Sequence, residues 1–417
     1  MHSSARRQRI LVCSEGVPHV KNGASIVLYY HYIERLKRAG YEILHLLLLE
    51  GQFWSDQAVD EYKMSMAEPG RFTVKTIKVE RFVEEGRLSH TLDATLAREV
   101  RAACDTFTPD LVLAFDLIAA WASFAGTPAR KIAWLGDLRF QTKLYHSIYA
   151  ISEEPGTLVH LPSNWLACQA WKRTYASALK DADHIIVASI SSETELARLG
   201  IRAGYEPYPW PEDAAPAAKE ADPVGGRRPT FLFFGSLGGL GSRSALHFTT
   251  RKIYPELLRV WGALGFTILI AGRGDLPDWA AQSLDSKPEF QRIGFIEDLT
   301  SVLAGCHAIL VPIDVPVGNR SRILTAMAKR ALVIAHKNAA LGNPDLEDGV
   351  TCYLAASARE FVARMRRAVD DPATSEEIIE RAYRSYMDHY AVDPASERLL
   401  VHVRAVLSPR ETVASGT

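Results

Sequence analysis

The sequence of 417 residues predicts an α/β protein built from two doubly wound, Rossmann-like domains facing each other across a cleft. Three observations carry this expectation. Short apolar runs of strand length alternate with helix-like stretches. A segment holding six of the chain's 21 prolines interrupts that alternation at residues 205–229, and the same alternation restarts beyond it. Apolar residues make up 47% of the chain, enough for two cores, and 48 Lys+Arg against 49 Asp+Glu leave a formal charge of −1. That balance argues against a nucleic-acid binder, which carries a basic excess. Five widely spaced cysteines without a Cys-x-x-Cys pair fit neither a disulfide framework nor a zinc site, so a reducing compartment is expected.

The elements follow in order. Residues 10–13 read as the first strand, and a loop to Gly23 leads into a helix over 24–39 with Ile26, Tyr30 and Ile33 along one face. Gly40 stops that helix where a left-handed residue is wanted. Residues 41–49 are almost all apolar, as suits a strand covered on both faces of a parallel sheet. Further strands are expected at 72–79, 111–115, 131–135 and 184–188, with Ser163 capping a helix that runs to Lys180. The proline density of 205–229 forbids helix and central strand, so this stretch reads as a linker or surface crossover. Strands then recur at 230–234, 266–271, 290–293, 307–312 and 331–336. The expected units are therefore a first domain at 1–204, a linker at 205–229 and a second domain at 230–389. A closing helix within 390–417 is expected to pack back on the first domain.

No apolar run reaches the roughly 20 residues of a membrane span, and the run at 10–13 is too short for a signal peptide. A cytoplasmic protein is expected, or one held peripherally at the inner face of the membrane. Ligands of such sheets bind beyond the carboxyl ends of the strands, which here is the cleft. The strongest local signal is GNRSRILTAMA, residues 318–328, which follows a strand and opens a helix. Gly318 and Asn319 let backbone amides approach an anion, the helix N-terminus adds positive potential, and Arg320 and Arg322 lie two apart beside it. The plainer reading is a pair of solvated surface arginines. A second loop, GSLGGLGSRS at 235–244, offers Gly238, Gly239 and Arg243. It misses the dinucleotide fingerprint, because Ser244 stands where the last glycine belongs, so a nicotinamide cofactor is not expected. A third turn, AGRGD at 271–275, presents Arg273.

In the first half, the loop at 14–25 carries Glu15, His19, Lys21 and Gly23, while Asp116 and Asp137 each follow a strand end. Either aspartate could face the cleft or cap a helix. Asp181 and Asp183 spell Asp-x-Asp but precede a strand, so capping or solvation explains them better than a metal. The arginines at 358–371 read as a solvated helix face, with an anionic membrane surface as the alternative.

Taken in order, these motifs resemble the donor-binding domain of GT-B-type retaining glycosyltransferases, specifically glycosyltransferase family 4 (group 1). The likeness runs from FFGSL through TILIAGRG, IGFIEDLTSVLAGCHAILVPI and GNRSRILTAMAKRALVIAH to LEDGVTCYLA, some 140 residues. RILVCSEGVPHVKNGAS, RLKRAGYEI and DADHIIVASISSETELARLG resemble the acceptor-side domain more loosely. The resemblance implies transfer of a sugar from a nucleoside-diphosphate sugar to a hydroxyl acceptor, with retention of anomeric configuration and no bound metal or cofactor. The acceptor would be a glycan, a polysaccharide or a lipid-linked precursor. Arg320 and Arg322 would bind the diphosphate; Gly238 and Gly239 would face the phosphates, and Gly23 would match the glycine of the first-domain loop. Asp137, in WLGDLRF, would lie in the acceptor-side loop. Two glutamates that commonly frame the donor motif are replaced by Val317 and Thr325. A catalytically silent binding module or a sugar-nucleotide epimerase are the competing expectations.

Overall fold

The structure, a computed structural model, describes residues 6–20, 25–213 and 228–408. Its first domain is a parallel seven-stranded sheet in the order β3-β2-β1-β6-β7-β8-β9. These strands are β1 (Arg9–Glu15), β2 (Glu42–Glu50), β3 (Phe72–Val79), β6 (Leu111–Phe115), β7 (Arg130–Leu135), β8 (His184–Val187) and β9 (Gly204–Tyr205). A small antiparallel pair, β4 (Val83–Glu85) with β5 (His90–Leu92), stands apart. The second domain is a parallel six-stranded sheet ordered β12-β11-β10-β13-β14-β15. It comprises β10 (Thr230–Ser236), β11 (Thr267–Arg273), β12 (Phe290–Gly294), β13 (Ala308–Val311), β14 (Val333–His336) and β15 (Tyr353–Ala355). In each domain the strand order reverses beside the first strand of the series, so both switch points lie at β-strand carboxyl ends, the position a ligand cleft requires.

The uninterrupted apolar runs are explained by burial on both faces. In β6 all five residues are buried, and Ile10 to Cys13 of β1 are fully enclosed. Core residues of one sheet face continue through Tyr208 into the second domain, so the two units share packing at their base. The closing helix Val392–Leu407 packs on the helix Ser25–Arg38 of the first domain, where Arg35 pairs with Glu397.

Two expectations need correction. The stretch expected to be a surface crossover is buried at its start: Tyr208 is fully enclosed, and Trp210 donates its amide to the carbonyl of Tyr390 at 2.8 Å. Alternating aromatics among the prolines account for this, because they supply side chains for a core that proline itself does not preclude. Residues 214–227 of that stretch lie outside the described residues. Ser163 is no cap; the helix runs Leu161–Ala178 after a 3-10 turn Pro155–His160, and the Ser163 hydroxyl donates to the His160 carbonyl. The arginines at 358–371 stand, as expected, on the solvated face of a helix, Ala358–Asp370, whose other face buries Phe361, Val362, Met365 and Ala368. Arg364 pairs with Asp348 and Arg366 with Asp370, so local carboxylates account for these two charges.

Candidate functional site

The cleft between the domains holds a cavity of about 540 Å³, lined mainly by the first domain with Trp210, Asn319 and Ser321 at its far side. Its floor is set by Asp116, which takes φ = 70° at the end of β6, a conformation that costs a non-glycine residue. The Asp116 carboxylate accepts from the Gly136 amide at 2.8 Å and from the Tyr29 hydroxyl. It thereby ties the end of β6 to the loop after β7, and the next residue in that loop is Asp137. Burial raises the pKa of Asp116, and its bonds to Tyr29 and Gly136 oppose the shift.

Behind this floor lies an ion pair that sequence reasoning noticed only in part. Glu15 accepts from Arg139 at 2.6 Å and from the Ile118 amide at 3.2 Å. Burial nevertheless pushes Glu15 up to about 7, with Arg139 opposing and Asp116 adding to the shift. The sequence offers Glu15 as one polar candidate in a loop, whereas it is the last residue of β1; Arg139 carries no signal, since it opens a helix, Arg139–Glu153, whose start the sequence does not mark with a cap. His19 is exposed and lines a separate hollow, and Lys21 and Gly23 lie outside the described residues. Asp183 is structural, accepting from the Lys131 amide and pairing with Arg130, both at 2.9 Å.

Asp137 reaches across the cleft. Its carboxylate stands against Gly318 so closely that a Cβ there would sit 2.6 Å from Oδ2, and φ of 74° at Gly318 also demands glycine. The side chain is open to solvent along the cleft and walled by protein elsewhere. Desolvation raises its pKa, and the neighbouring Arg320 counteracts the rise.

The GNRSR motif divides its two arginines between different tasks. Arg320 does not project toward a ligand as the sequence pattern suggests. It is only 8% exposed, and its guanidinium donates to the carbonyls of Val315 at 2.5 Å, Asn319 at 3.3 Å and Val317. Its amide donates to Asn343 Oδ1 at 3.1 Å, so Arg320 laces the loop 315–319 from within. Arg322, the second residue of the second-domain helix Ser321–Ala328, lies against the glycine loop instead. A Cβ on Gly235 would meet its Cζ at 2.8 Å, and its guanidinium donates to Ser242 Oγ at 3.0 Å. Among the described residues it has no carboxylate partner, and its Nη1 is buried without a hydrogen bond. Burial, with Arg320 adding, lowers its pKa to about 10, so it stays charged at neutral pH. Glycine is required here: Gly235 has φ of 140°, and a Cβ on Gly272 of the neighbouring strand would overlap the Gly235 carbonyl oxygen.

The remaining predicted residues are distributed as follows. Gly238 and Gly239 are exposed in the loop after β10, and Gly239 is the residue before the helix Leu240–Phe248. Arg273 is exposed at the end of β11, its Cζ 3.9 Å above the Phe295 ring. Arg243 does not face the glycine loop's open side; it pairs with Glu153 of the first domain, Nε to Oε1 at 3.2 Å. Thr325 is buried and doubly engaged, accepting from Trp210 Nε1 at 3.0 Å and donating to Glu212 Oε1 at 2.6 Å. Val317, at the other replaced glutamate position, is buried as well. Further seams close the domains: Ser191 Oγ donates to the Pro316 carbonyl at 2.6 Å, and Tyr149 donates to Asp314. Among the described residues no group of three or more His, Cys, Asp or Glu side chains could hold a metal ion, and no helix is long and apolar enough to cross a membrane.

Two parallel sheets facing each other, with a glycine loop and a helix N-terminus at the cleft, define a GT-B architecture. Within it, residues 228–371 match the family model described as glycosyl transferases group 1. Solved structures agree on the fold over nearly the whole chain. Anabaena HepE in complex with UDP superposes with a TM-score of 0.63 at 15% identity, covering 95% of this chain and 100% of that one. Sucrose-phosphate synthase from Thermosynechococcus elongatus gives 0.64 at 16%, covering 96% and 99%. A glycosyltransferase from Rickettsia africae gives 0.66 at 13%, covering 96% and 99%. A search of curated proteins finds no match to the sequence.

Proposed function

We propose that the protein is a retaining glycosyltransferase that moves a sugar from a nucleoside-diphosphate sugar to a hydroxyl acceptor without a metal ion. The observation that carries this reading is Arg322: a half-buried guanidinium with its Nη1 enclosed and no carboxylate partner among the described residues, held against Gly235 of the glycine loop and close to a helix N-terminus. A cation left unpaired in this way is costly unless an anion completes it. The family match over 228–371 and the UDP bound by Anabaena HepE make a nucleoside diphosphate the natural anion.

The donor would lie on the second domain, its diphosphate against Arg322, the amides around Gly238 and Gly239, and Arg273 at the rim. The acceptor would occupy the 540 Å³ cavity of the first domain. As the bond between the anomeric carbon and the diphosphate oxygen breaks, negative charge grows on the leaving group, where Arg322 and the helix N-terminus stabilise it. The acceptor oxygen bonds to the same face of the anomeric carbon, and its proton passes to Asp137, whose raised pKa suits that task. Arg320 supports these steps indirectly, through the loop that presents Gly318 and Asn319.

A thermal-shift panel of nucleoside diphosphates and their sugars tests the reading. A ligand at 100 times its dissociation constant adds about 2.7 kcal/mol, several degrees in a domain of this size. Failure of every member to shift the transition would overturn it. The engaged Thr325 and buried Val317 favour one rival, a module that binds a nucleotide sugar without turning it over. Binding without transfer to any acceptor would select that rival.

A further inference from the structure

One aromatic side chain in the wall of the cleft cavity is set differently from the rest. Among the described residues that line it, four are tyrosine or tryptophan: Trp171, Tyr175, Tyr208 and Trp210. The first three are enclosed, at 3%, 2% and 0% exposure, and Arg139 covers Trp171 with its Cζ 5.4 Å from the ring centre. Trp210 is only half-buried, and it stands on the far side of the cavity with Asn319 and Ser321.

Every polar group of Trp210 already has a partner. Its amide donates to the Tyr390 carbonyl at 2.8 Å, and its carbonyl accepts from the Tyr386 hydroxyl at 2.7 Å. Its indole Nε1 donates to Thr325 Oγ1 at 3.0 Å, and Thr325 in turn donates to Glu212 Oε1 at 2.6 Å. An indole N–H can only donate and a carboxylate can only accept, so a hydroxyl is the group that joins them. A glutamate at position 325 would set carboxylate against carboxylate, which gives the threonine at this point of the motif a physical reason. What Trp210 offers the cavity is therefore carbon surface, held in place by three hydrogen bonds.

The rest of the lining suits a polyhydroxyl compound better than an ion. Lys143 pairs with Glu85 at 2.9 Å and Arg139 with Glu15 at 2.6 Å, so both cations have carboxylates. Thr142, Asn319 and Ser321 add neutral donors and acceptors. A pyranose carries hydroxyls around its rim and C–H groups on its faces, and the electron-rich face of an aromatic ring attracts such weakly positive C–H groups. A platform already fixed in position loses little conformational freedom on binding.

We propose that Trp210 is a specificity-determining residue of the acceptor site, the platform on which a pyranose ring of the acceptor stacks, with Thr325 and Glu212 as its positioning residues. The role as acceptor rests on the transferase reading; the binding of a pyranose at Trp210 does not.

Saturation-transfer NMR of the full chain, without and with UDP, tests the proposal. The probes are the methyl α- and β-pyranosides of glucose, galactose and mannose, and the control is sorbitol, which has the hydroxyls without a rigid C–H face. At least one pyranoside is expected to bind, its ring C–H protons receiving the saturation, whereas sorbitol is not. Trp210→Leu should weaken that binding by about tenfold or more. Thr325→Val keeps the shape and removes both hydrogen bonds, so it should weaken binding by about two- to tenfold, and Thr325→Ser should restore it. The UDP-induced melting shift of Trp210→Leu should stay as in the parent, a result that a general loosening of the fold would not give. Failure of every pyranoside to bind, equal binding by sorbitol, or unaltered affinity in Trp210→Leu would overturn the proposal. So would displacement of the pyranoside by UDP, since the ring would then lie in the donor site. Thr325→Val leaves the ring in the wall and decides the matter if Trp210→Leu does not fold: unaltered affinity there would overturn the proposal as well. A chain that binds pyranosides yet responds to no nucleotide would instead count against the transferase reading alone.

Discussion

Replacing Arg322 by methionine should move stability and ligand affinity in opposite directions. The guanidinium is held by one side-chain hydrogen bond, to Ser242 at 3.0 Å, and faces Gly235 and the Phe233 ring with no carboxylate among the described residues to neutralise it. Its desolvation is strong enough to depress the pKa to about 10. Methionine keeps most of the stem packing and removes the uncompensated charge, so the ligand-free protein should be as stable as before or gain about 1 kcal/mol. In a domain of this size that is a rise of roughly 2–4 °C. Binding of a nucleoside diphosphate should suffer the reverse. A charge-assisted hydrogen bond to phosphate contributes about 1.5–3 kcal/mol, so the dissociation constant should rise roughly 10- to 150-fold. Differential scanning calorimetry of the free protein and isothermal titration with UDP read the two effects separately. A fall of several degrees in the free protein with unchanged UDP affinity would refute the argument, because Arg322 would then be a structural residue with an unseen partner.

Arg320 is expected to behave in the opposite manner. Arg320→Met removes the donors to Val315, Val317 and Asn319, so the free protein should lose about 2–4 kcal/mol, seen as a lowered midpoint in urea unfolding. Asp137→Asn should slow transfer by roughly 10²- to 10⁴-fold while UDP affinity, measured by titration, stays within about twofold. Glu153→Gln breaks the ion pair with Arg243 that joins the domains, and small-angle scattering should show a more open chain at low salt. Glu15 sets a pH trend: its ordinary value of 4.5 is raised to about 7 in the fold, so between those values the native state holds more protons than the unfolded one. Stability contributed by protonated Glu15 is therefore complete below about 4.5 and lost as pH rises toward 7. In Glu15→Gln this slope should vanish from melting curves taken across that interval; an unchanged slope would assign it to another group.

The strand framework was legible because parallel strands covered on both faces must be apolar throughout, as Leu46 to Leu49 and residues 111–115 are. Two of the four edge strands of these sheets escaped: β9 has two residues and β15 three, too short for any periodicity. At the site, the carboxyl ends of β7 and β13 could be read from the sequence, so Asp137 and the GNRSR motif were found. What each arginine does there could not be read. Arg320 precedes the helix and Arg322 lies in its first turn, and only the loop's carbonyls decide which of them turns inward. Glu15 with Arg139, and Thr325 with Trp210 and Glu212, join residues more than 100 positions apart, and no local pattern signals such pairs.

The distribution of charge explains what the cleft can hold. Arg139 is paired with Glu15 and Arg243 with Glu153, and Arg320 is spent on carbonyls beside Asp137. Arg322 and the rim residue Arg273 remain without a carboxylate among the described residues. Two cations and a helix N-terminus worth about half a charge balance one diphosphate and little more. A near-neutral chain thus presents a local anion site too small for a polyanion. The same loop, 315–319, also receives Ser191 and Asp137 from the first domain, and Arg322 follows it by three residues. Arg320 laces that loop from inside, so a displacement at Arg322 would be passed toward Asp137. If the transferase reading holds, an anion at Arg322 and the placement of Asp137 would be linked through residues 315–319.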